Sequence, residues 1–520
     1  MFDVAAAHRE VEVAIPTGDG VTLAATLYLP RLDEPQPCLL EALPYRKDDL
    51  TWSYRSEYVR LSEQHGYAVC RLDLRGTGSS GGDATDEYPV REQEDLLAVI
   101  AWLADQDWCD GSVGMYGTSY SGFNSLQLAC ERPPALKAVV AIYATDDRYT
   151  DDVHYRGGLL RFLDLVDYCH YMTPMNALPP VPRHWAGDWR AEWRRRVDEF
   201  EPWLLTWLDN QRDNAYWRHG SVRPDYGRID CAVMIVAGWA DGYRNNSFRT
   251  IAALREAGVR HRLLAGPWAH AAPASAIPGP RVDLTTELVA WFDEHLRGGE
   301  AHGDGGAERV GGSADVFVVE STRPEPDLDS CAGSWLREEW PCPRVVDEVI
   351  ALDGRAAYVV DPSVGVDAWI DCAGHLPWGL SLDQRYDDAA SLTWELPGEE
   401  RVLLGHPVVR LTVSVDQPVA LVSAKLCDVF TDGTSALVSR GTVNLTHRES
   451  HTDPAPLVPG QEYDVTVELD ACAHRFSPGQ RVRLSVAGAD WPNTVAPPAP
   501  VTLTVHAAEL VLPAWTGPSP

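Results

Sequence analysis

The stretch GMYGTSYSGF occupies residues 114–123. The apolar run SVGMYG leads into it and FNSLQLACER follows, which predicts a strand, a tight turn and a helix in that order. Such a turn presents a serine when it reads G-x-S-x-G, but here Ser121 replaces the second glycine and Gly122 comes one residue late. Three interpretations are open: Ser119 is a nucleophile on an altered turn, Ser121 is the nucleophile, or the serine only caps a helix.

The size of the neighbouring residues favours Ser119. The two arms of such a turn pack closely, so the residues two before and two after the nucleophile have to be small. Around Ser119 these positions hold Gly117 and Ser121, whereas around Ser121 they would hold Ser119 and the bulky Phe123. A serine attacks a carbonyl only if a base takes its proton and donors stabilise the oxyanion, so further residues are needed.

The first 145 residues alternate predicted strands with helices. Their apolar runs are nearly continuous and bounded by Gly or Pro, which is typical of strands buried on both faces of a sheet. REQEDLLAVIAWLADQ (91–106) places its apolar residues on one side of a helix. Alternating strand and helix indicates a parallel sheet covered on both faces. The strands are predicted at 21–30, 37–45, 67–75, 112–117 and 136–144.

This alternation stops at residue 146 and resumes after residue 228. The segment 146–228 is helical in pattern and dense in Trp, which predicts a helical cap inserted into the sheet. Strands are predicted again at 231–242 and 261–267, with a helix near 284–297. The Gly-rich, charged stretch at 297–312 predicts a linker.

Beyond the linker, period-two alternation replaces the helical signal. VVRLTVSV (408–415), YDVTVEL (463–469), RVRLSVAG (481–488) and VTLTVHA (501–507) predict strands at the spacing of a β-sandwich. The predicted fold class is therefore an α/β core with a helical cap, followed by an all-β domain. The division is 1–145 and 229–300 for the two parts of the core, 146–228 for the cap, 301–345 for the linker and domain junction, and 346–520 for the sandwich.

The composition excludes several classes of function. The formal net charge is −32, which argues against nucleic acid or an anionic membrane as a partner. No window of about 18 residues is apolar and uncharged, so no membrane span is predicted. The N-terminus has no signal-peptide pattern, and the eleven cysteines form no C-x-x-C pair, which favours buried thiols in a reducing cytoplasm. We predict a cytoplasmic protein with no cofactor and no metal, and leave a homo-oligomer open.

One glycine pattern imitates a nucleotide site. Gly76, Gly78 and Gly81 in RGTGSSGGD spell G-x-G-x-x-G after a predicted strand. That fingerprint requires a helix to begin on the glycines, so that its amides hold a diphosphate. Here GDATDEYP intervenes, and its three acidic residues would repel a diphosphate. A tight loop at the edge of the sheet is therefore favoured.

Candidate partners of Ser119 follow in the chain order Ser, Asp or Glu, His, which is that of the α/β-hydrolases. The strand CAVMIVAGW is followed by Asp241 at the carboxyl edge of the sheet, with Asp146 after an earlier strand as the reserve. His270 comes after the next strand, whereas His261 precedes that strand and should lie at the opposite edge. We expect His270 to take the proton of Ser119 and return it to the leaving group, and Asp241 to orient the imidazole.

Two tyrosines are candidate donors to the oxyanion. In such turns the backbone N–H after the nucleophile, here that of Tyr120, supplies one donor. The second donor usually comes from the loop after the 37–45 strand, which reads LPYRKDD and has no glycine run. Tyr45 is the candidate there through its phenol hydroxyl, with packing at the strand end as an equal alternative.

Taken together, the motifs resemble one family. GTSYSG (117–122), GWADG (238–242) and GPWAH (266–270), with LPY and DLRGTGSSGG upstream, are similar to the CocE/NonD family, which is related to cocaine esterase and the X-prolyl dipeptidyl peptidases. The similarity continues through the cap into LCDVFTDGTS, GTVNLTHR and RFSPGQRVRLSVAGADWPN, and so covers essentially the whole chain. The family's turn reads G-x-S-Y-x-G, which makes the missing glycine its usual pattern.

The resemblance implies a serine hydrolase with an α/β-hydrolase core, a helical cap and a C-terminal jelly roll. It maps the nucleophile, acid and base onto Ser119, Asp241 and His270, and the oxyanion donors onto Tyr45 and the amide of Tyr120. For Tyr45, this adds support that its position alone does not provide.

We expect hydrolysis of a small-molecule ester, or of an amide, through an acyl-enzyme. The Trp-rich cap favours an apolar or aromatic acyl or leaving group, with packing of these Trp residues as the alternative. Two other activities, release of X-Pro dipeptides and hydrolysis of α-amino acid esters, need a carboxylate for the substrate's ammonium group. The cap offers Asp146, Asp151, Asp152 and Asp164. A non-catalytic binding protein is a further alternative, against which the complete Ser, Asp and His set argues.

Overall fold

The core sheet of the computed structural model begins near the N-terminus. The structure describes residues 8–298, 313–354, 356–368 and 379–518. The first elements are β1 (His8–Pro16), β2 (Thr22–Pro30), β3 (Gln36–Leu43), α1 (Arg55–His65), β4 (Ala68–Asp73), α2 (Val90–Ala104), β5 (Cys109–Thr118), α3 (Tyr120–Glu131) and β6 (Leu136–Ile142). All five predicted strands are present: β4, β3, β5 and β6 are mutually parallel in that order, whereas β2, predicted as part of the parallel sheet, is antiparallel to β4. At the edge, β1 and β2 are antiparallel; β1 is polar along one face and was not predicted.

Between β6 and the next core strand, the chain forms a mainly helical cap. Its elements are β7 (Tyr155–Arg156), β8 (Leu159–Leu160), a π-helical segment (Leu163–Tyr168), α4 (Cys169–Ala177), α5 (Trp189–Glu199), α6 (Trp203–Asp209) and α7 (Ala215–Arg218). Trp203, Trp207 and Trp217 are buried in a cluster with Tyr149 and Tyr155. These Trp residues form the core of the cap, so the packing alternative explains them.

The core then resumes with four more strands of the same sheet. They are β9 (Ala232–Gly238), β10 (His261–Gly266), β11 (Ser313–Glu320) and β12 (Gly333–Glu339), with α8 (Arg244–Glu256) and α9 (Leu284–Leu296) between them. β6, β9, β10 and β11 are parallel neighbours in that order, and β12 is antiparallel to β11. The predicted linker at 297–312 lies almost wholly outside the described residues, and β11 and β12 were not predicted. No described helix combines the length and the hydropathy needed to cross a membrane.

The C-terminal residues form a β-sandwich. Its elements are β13 (Val345–Leu352), β14 (Ala356–Val359), α10 (Arg385–Ala389), β15 (Leu392–Leu396), β16 (Arg401–Gly405), β17 (Val408–Val415), β18 (Leu421–Val429), β19 (Ser435–Asn444), β20 (Tyr463–Glu468), β21 (Cys472–Phe476), β22 (Arg481–Ala487) and β23 (Thr502–Trp515). One layer is the sheet β15-β22-β18-β19, and the other contains β14, β23, β17 and β20. Apolar side chains of both layers, such as Leu411, Leu503 and Leu484, share one core.

Two contacts join the sandwich to the rest of the chain. β11 pairs in parallel with β21 at Val319 and Glu320, so the core sheet continues into the sandwich. Next to β21, the buried carboxylate of Asp470 accepts hydrogen bonds from Arg156 of the cap and Arg244 of the core. One carboxylate therefore binds all three parts of the chain. The domain boundaries given above remain predictions.

Replacing Asp470 by Ala should destabilise the chain strongly. Two buried guanidinium groups would lose this carboxylate, and we expect the free energy of unfolding to fall by about 3–5 kcal/mol. Asp329→Ala is the matched control, because Asp329 is 78% exposed and pairs with Arg281 at the surface; its expected loss is below about 1 kcal/mol. Urea denaturation of both variants measures the difference, and similar losses in the two would contradict the prediction.

Candidate active site

Ser119 lies on a strained turn between β5 and α3. Its φ is 61° and its ψ is −118°. A positive φ costs a residue other than glycine about 1–3 kcal/mol and persists only where the surroundings hold it. Here the Ser119 N–H donates to the Ile142 carbonyl at 2.8 Å, and the Ser119 carbonyl accepts from the Phe123 N–H at 3.0 Å. The strand, turn and helix predicted for this stretch are present, and the turn is at the carboxyl edge of the sheet.

Ser121 is part of the packing of the turn. It is fully buried, and its hydroxyl donates to the Tyr116 carbonyl at 3.1 Å. A Cβ on Gly117 would lie 1.8 Å from Ser121 Oγ, and a Cβ on Gly122 would lie 2.7 Å from the Gly117 carbonyl oxygen. The turn therefore needs glycine at two places, and the second of them is Gly122. Ser121 fits because its hydroxyl fills the space beside Gly117.

Asp241 and His270 form a hydrogen-bonded pair at the same edge. They follow β9 and β10, which are parallel neighbours with Gly238 opposite Gly266. His270 Nδ1 lies 2.5 Å from Asp241 Oδ2, and the Tyr243 N–H donates to Asp241 Oδ1 at 2.8 Å. Asp241 is 1% exposed and His270 24% exposed. The buried carboxylate thus holds the imidazole by Nδ1 and leaves Nε2 on the open side.

The end of β6 connects this pair to Ser119. The Ser119 amide bonds to Ile142, and the ring of the next residue, Tyr143, has its centroid 5.6 Å from that of His270. No hydrogen bond joins Ser119 to His270 among the described residues; in unliganded enzymes this contact is often long. The structure thus brings Asp241 and His270 together, at the same carboxyl edge of the sheet as the Ser119 turn. His261 begins β10 and lies at the opposite edge.

The acids of the cap differ in their surroundings. Asp146, the reserve, is fully buried and pairs with Arg249 at 2.6 Å, which also contacts Asp151 at 3.2 Å. Burial would raise the pKa of Asp151, but the charge of Arg249 lowers it below its usual value. Burial raises the pKa of Asp152 to about 7. The side chain of Asp164 lies outside the described residues. Two of these acids therefore share ion pairs with one arginine.

The two candidate oxyanion donors lie next to each other. Tyr45 follows β3 and Tyr120 begins α3, and their rings meet edge to face with centroids 6.2 Å apart. Burial, followed by the charge of Glu87, raises the pKa of Tyr45 well above its usual value, so the phenol keeps its proton. The Tyr120 N–H is in the first turn of a helix and has no intrahelical acceptor. Both groups can therefore donate.

Several residues around this site have strained backbone conformations with positive φ. Six described residues other than glycine have positive φ, and four of them lie here: Arg46 (62°), Tyr88 (51°), Ser119 (61°) and Tyr143 (47°). Such strain is typical of functional sites. The rings of Tyr143 and Tyr243 flank His270 with centroids 5.6 and 5.7 Å away. Sequence reasoning missed both tyrosines; the only signal was their position, Tyr143 at the end of the predicted strand 136–144 and Tyr243 directly after the predicted strand 231–242.

The glycine-rich loop anchors the cap. A Cβ on Gly78 would lie 2.0 Å from Asp73 Oδ2, so this glycine lets the loop fold over a buried carboxylate. Arg196 of α5 donates to the carbonyls of Gly78 at 3.0 Å and Ser80 at 3.1 Å. The pattern that imitates a nucleotide fingerprint thus has a structural function here.

One group of side chains in the described part of the chain has the composition of a metal site. Glu12, Asp48 and His184 place ligand-type atoms close together. Lys47 Nζ already bonds to Glu12 Oε2 and Asp48 Oδ1, each at 2.7 Å. The side-chain ammonium group of Lys47 therefore already pairs with both carboxylates of this cluster.

The sheet order, the turn at Ser119 and the bonded Asp241–His270 pair define the chain as an α/β-hydrolase. Residues 19–272 match the family "X-Pro dipeptidyl-peptidase (S15 family)". Residues 327–518 match "X-Pro dipeptidyl-peptidase C-terminal non-catalytic domain". The chain therefore carries both domains of the S15 family of hydrolases.

Known proteins share the whole architecture. Cocaine esterase from Rhodococcus sp. (strain MB1 Bresler) is 28% identical over 546 residues, which cover 92% of this chain and 91% of that protein. An aminopeptidase from the marine sediment archaeon Thaumarchaeota archaeon has a TM-score of 0.79 at 20% identity, covering 99% of this chain and 98% of that one. A CocE/NonD family hydrolase from Staphylococcus aureus has a TM-score of 0.74 at 15% identity, covering 99% and 97%. The predicted fold class is confirmed.

Gly117→Ala should destabilise the turn, because the new methyl group would overlap Ser121 Oγ. We expect the free energy of unfolding to fall by about 1–3 kcal/mol. Adding Ser121→Gly removes the overlapping atoms and should recover part of that loss. Denaturation of the two single variants and the double variant measures the coupling; strictly additive losses would show that the two positions do not touch.

The stability of the chain should depend on pH through Glu92. Burial raises the pKa of this carboxyl from 4.5 to about 8, with the hydrogen bond from Tyr120 acting in the opposite direction. Because the folded state binds the proton more tightly, the contribution to stability is complete below the unfolded pKa and declines until the pH reaches the folded pKa. Glu92→Gln cannot ionise, so its stability relative to the parent should rise over this interval. Unfolding measured across pH tests this, and a constant difference would contradict it.

Proposed function

We propose that this hydrolase cleaves carboxylic esters of small molecules through an acyl-enzyme on Ser119. One observation carries the proposal: the 2.5 Å contact between His270 and the buried Asp241, at the sheet edge that holds the strained Ser119 turn. His270 Nε2 takes the proton as Ser119 Oγ attacks the carbonyl, and Asp241 stabilises the imidazolium. The imidazolium then protonates the leaving alcohol. In the second half, His270 takes a proton from water, which attacks the acyl group and releases Ser119.

The oxyanion of each tetrahedral intermediate would be held by two donors. The Tyr120 N–H is on the residue after the nucleophile, and the Tyr45 ring contacts the Tyr120 ring edge to face. Donors of this kind stabilise charge that develops only in the transition state. The raised pKa of Tyr45 supports this role, because the phenol stays protonated.

Aromatic surface beside Tyr45 supports a substrate with an apolar or aromatic group. The ring of Tyr171 lies 5.7 Å from that of Tyr45, and both Tyr171 and Tyr54 are about half exposed. Exposed aromatic rings next to an oxyanion donor favour an aryl or alkyl group on the substrate carbonyl. The pairing of Arg249 with Asp146 and Asp151 weakens the case for recognition of an ammonium group there.

Release of X-Pro dipeptides or hydrolysis of α-amino acid esters is the alternative activity. The S15 family match and the archaeal aminopeptidase of the same fold are the observations in its favour. A location in the cytoplasm remains a prediction, and the oligomeric state remains open.

Comparison of two chromogenic substrates tests the choice of activity. We expect p-nitrophenyl butyrate to be hydrolysed with a higher kcat/KM than Gly-Pro p-nitroanilide, because the exposed rings of Tyr54 and Tyr171 near Tyr45 favour an apolar group. Higher kcat/KM for the anilide would overturn the preference for an esterase.

Labelling with a fluorophosphonate tests the nucleophile. The parent and Ser121→Ala should be labelled, and Ser119→Ala should not, because Ser121 is buried with its hydroxyl bonded to the Tyr116 carbonyl, whereas Ser119 lies on the strained turn. Asp241→Asn should lower kcat by about 10⁴-fold, because it no longer holds the imidazole in the required tautomer. An unlabelled parent would instead support a binding protein without catalysis.

A further inference from the structure

The phenol oxygen of Tyr120 is held by two hydrogen bonds, one that it donates and one that it accepts. It donates a hydrogen bond to Glu92 Oε2 at 2.9 Å and accepts one from the Tyr88 N–H at 3.1 Å. Tyr120 is 2% exposed and Glu92 is 6% exposed, so water does not replace either partner. Glu92 lies in the first turn of α2, a helix that packs against β5 and α3. The ring of Tyr120 is thus tied to an element outside the nucleophile turn.

The same ring contacts the other candidate oxyanion donor. On one side, the Tyr88 ring lies against it with centroids 4.1 Å apart. On another, the Tyr45 ring meets it edge to face at 6.2 Å. Tyr120 carries the first donor on its own backbone and supports the residue that carries the second. The Tyr120 ring is therefore part of one of the two residues that carry the donors and in contact with the other.

A glutamate at position 92 costs folding free energy if its only role is packing. Its Oε1 is buried and has no hydrogen-bond partner among the described residues. An unsatisfied buried oxygen costs about 1–3 kcal/mol, and an apolar side chain at this place would avoid that cost. The contact that the structure shows for this carboxyl is the hydrogen bond that Glu92 Oε2 accepts from the Tyr120 hydroxyl.

We propose that Glu92 is a positioning residue, which sets the geometry of both oxyanion donors through the phenol of Tyr120. This inference rests on the proposed function, because it assigns the Tyr120 N–H and the Tyr45 hydroxyl to the oxyanion. Glu92 does not touch the substrate. It acts through the hydrogen bond to Tyr120. The Tyr88 N–H donates a second hydrogen bond to the same phenol oxygen.

Kinetics of Tyr120→Phe and Glu92→Leu test the proposal. Each variant removes one side of the hydrogen bond and leaves the Tyr120 amide in the chain. We expect kcat for p-nitrophenyl butyrate to fall by about 10-fold with KM nearly unchanged, because small misplacements of donors act on the transition state. Affinity for phenylboronic acid, whose adduct with a serine places an oxygen in the oxyanion site, should fall by a similar factor. Glu92→Gln keeps an acceptor oxygen and should recover most of the loss.

Two matched controls separate positioning from stability. Tyr67→Phe removes the same kind of bond, from a buried phenol to Asp293 Oδ1 at 2.6 Å, next to the amino end of β4. It should lower the melting temperature without lowering kcat. Glu94→Gln changes an exposed acid two residues after Glu92. Glu94 pairs with Arg91, and its replacement should change neither the melting temperature nor kcat.

The outcomes distinguish this inference from the proposed function. If fluorophosphonate labels the parent and both Tyr120→Phe and Glu92→Leu keep the kcat of the parent, Glu92 has no positioning role and the esterase assignment stands. If Tyr67→Phe loses as much kcat as Tyr120→Phe, the effect is one of general stability, and the inference is wrong. If the parent is not labelled, the proposed function fails first.

Discussion

Close packing at the Ser119 turn is the constraint on which the rest of the site depends. There is no room for a side chain at Gly117 or Gly122, so α3 comes directly against β5 and β6. That approach holds Ser119 at a φ of 61°, and it begins a helix at Tyr120 whose first N–H is left for a ligand. The positions of the other functional groups follow from this geometry, because they sit on the ends of neighbouring strands.

Buried basic residues hold the parts of the chain around that turn. Arg249 binds Asp146 under the cap, Arg196 binds the glycine-rich loop, and Asp470 joins arginines of the cap and the core to the sandwich. Of the three lysines, Lys47 and Lys425 are buried in ion pairs. Burial of these bases does not cause the net negative charge, because acidic residues are buried as well and the whole sequence has 76 acidic residues against 44 basic ones.

Sequence reasoning located Ser119, Asp241 and His270 because each follows a buried strand, and parallel strands end at one edge of a sheet. The Tyr120 amide followed from its place after the serine. Tyr45 needed the family resemblance, because a tyrosine at a strand end is usually packing. Tyr54, Tyr171 and Glu92 were missed, since nothing in their local pattern differs from that of ordinary surface or helix residues. The Trp residues of the cap pointed to substrate, but three of them, Trp203, Trp207 and Trp217, form its core.

The sequence by itself determined the core strands β2 to β6, β9 and β10, the helices that follow them, and the order in which candidate groups come after these strands. Apolar periodicity and glycine placement are local properties, so a single segment is enough to reveal them. Only the tertiary structure decided between Asp241 and Asp146, which both follow core strands. Arg249 binds Asp146, whereas Asp241 meets His270. The tertiary structure also showed that pairing between β11 and β21 joins the core and the sandwich in one sheet. Such choices depend on distances between segments far apart in the chain, and no local pattern records them.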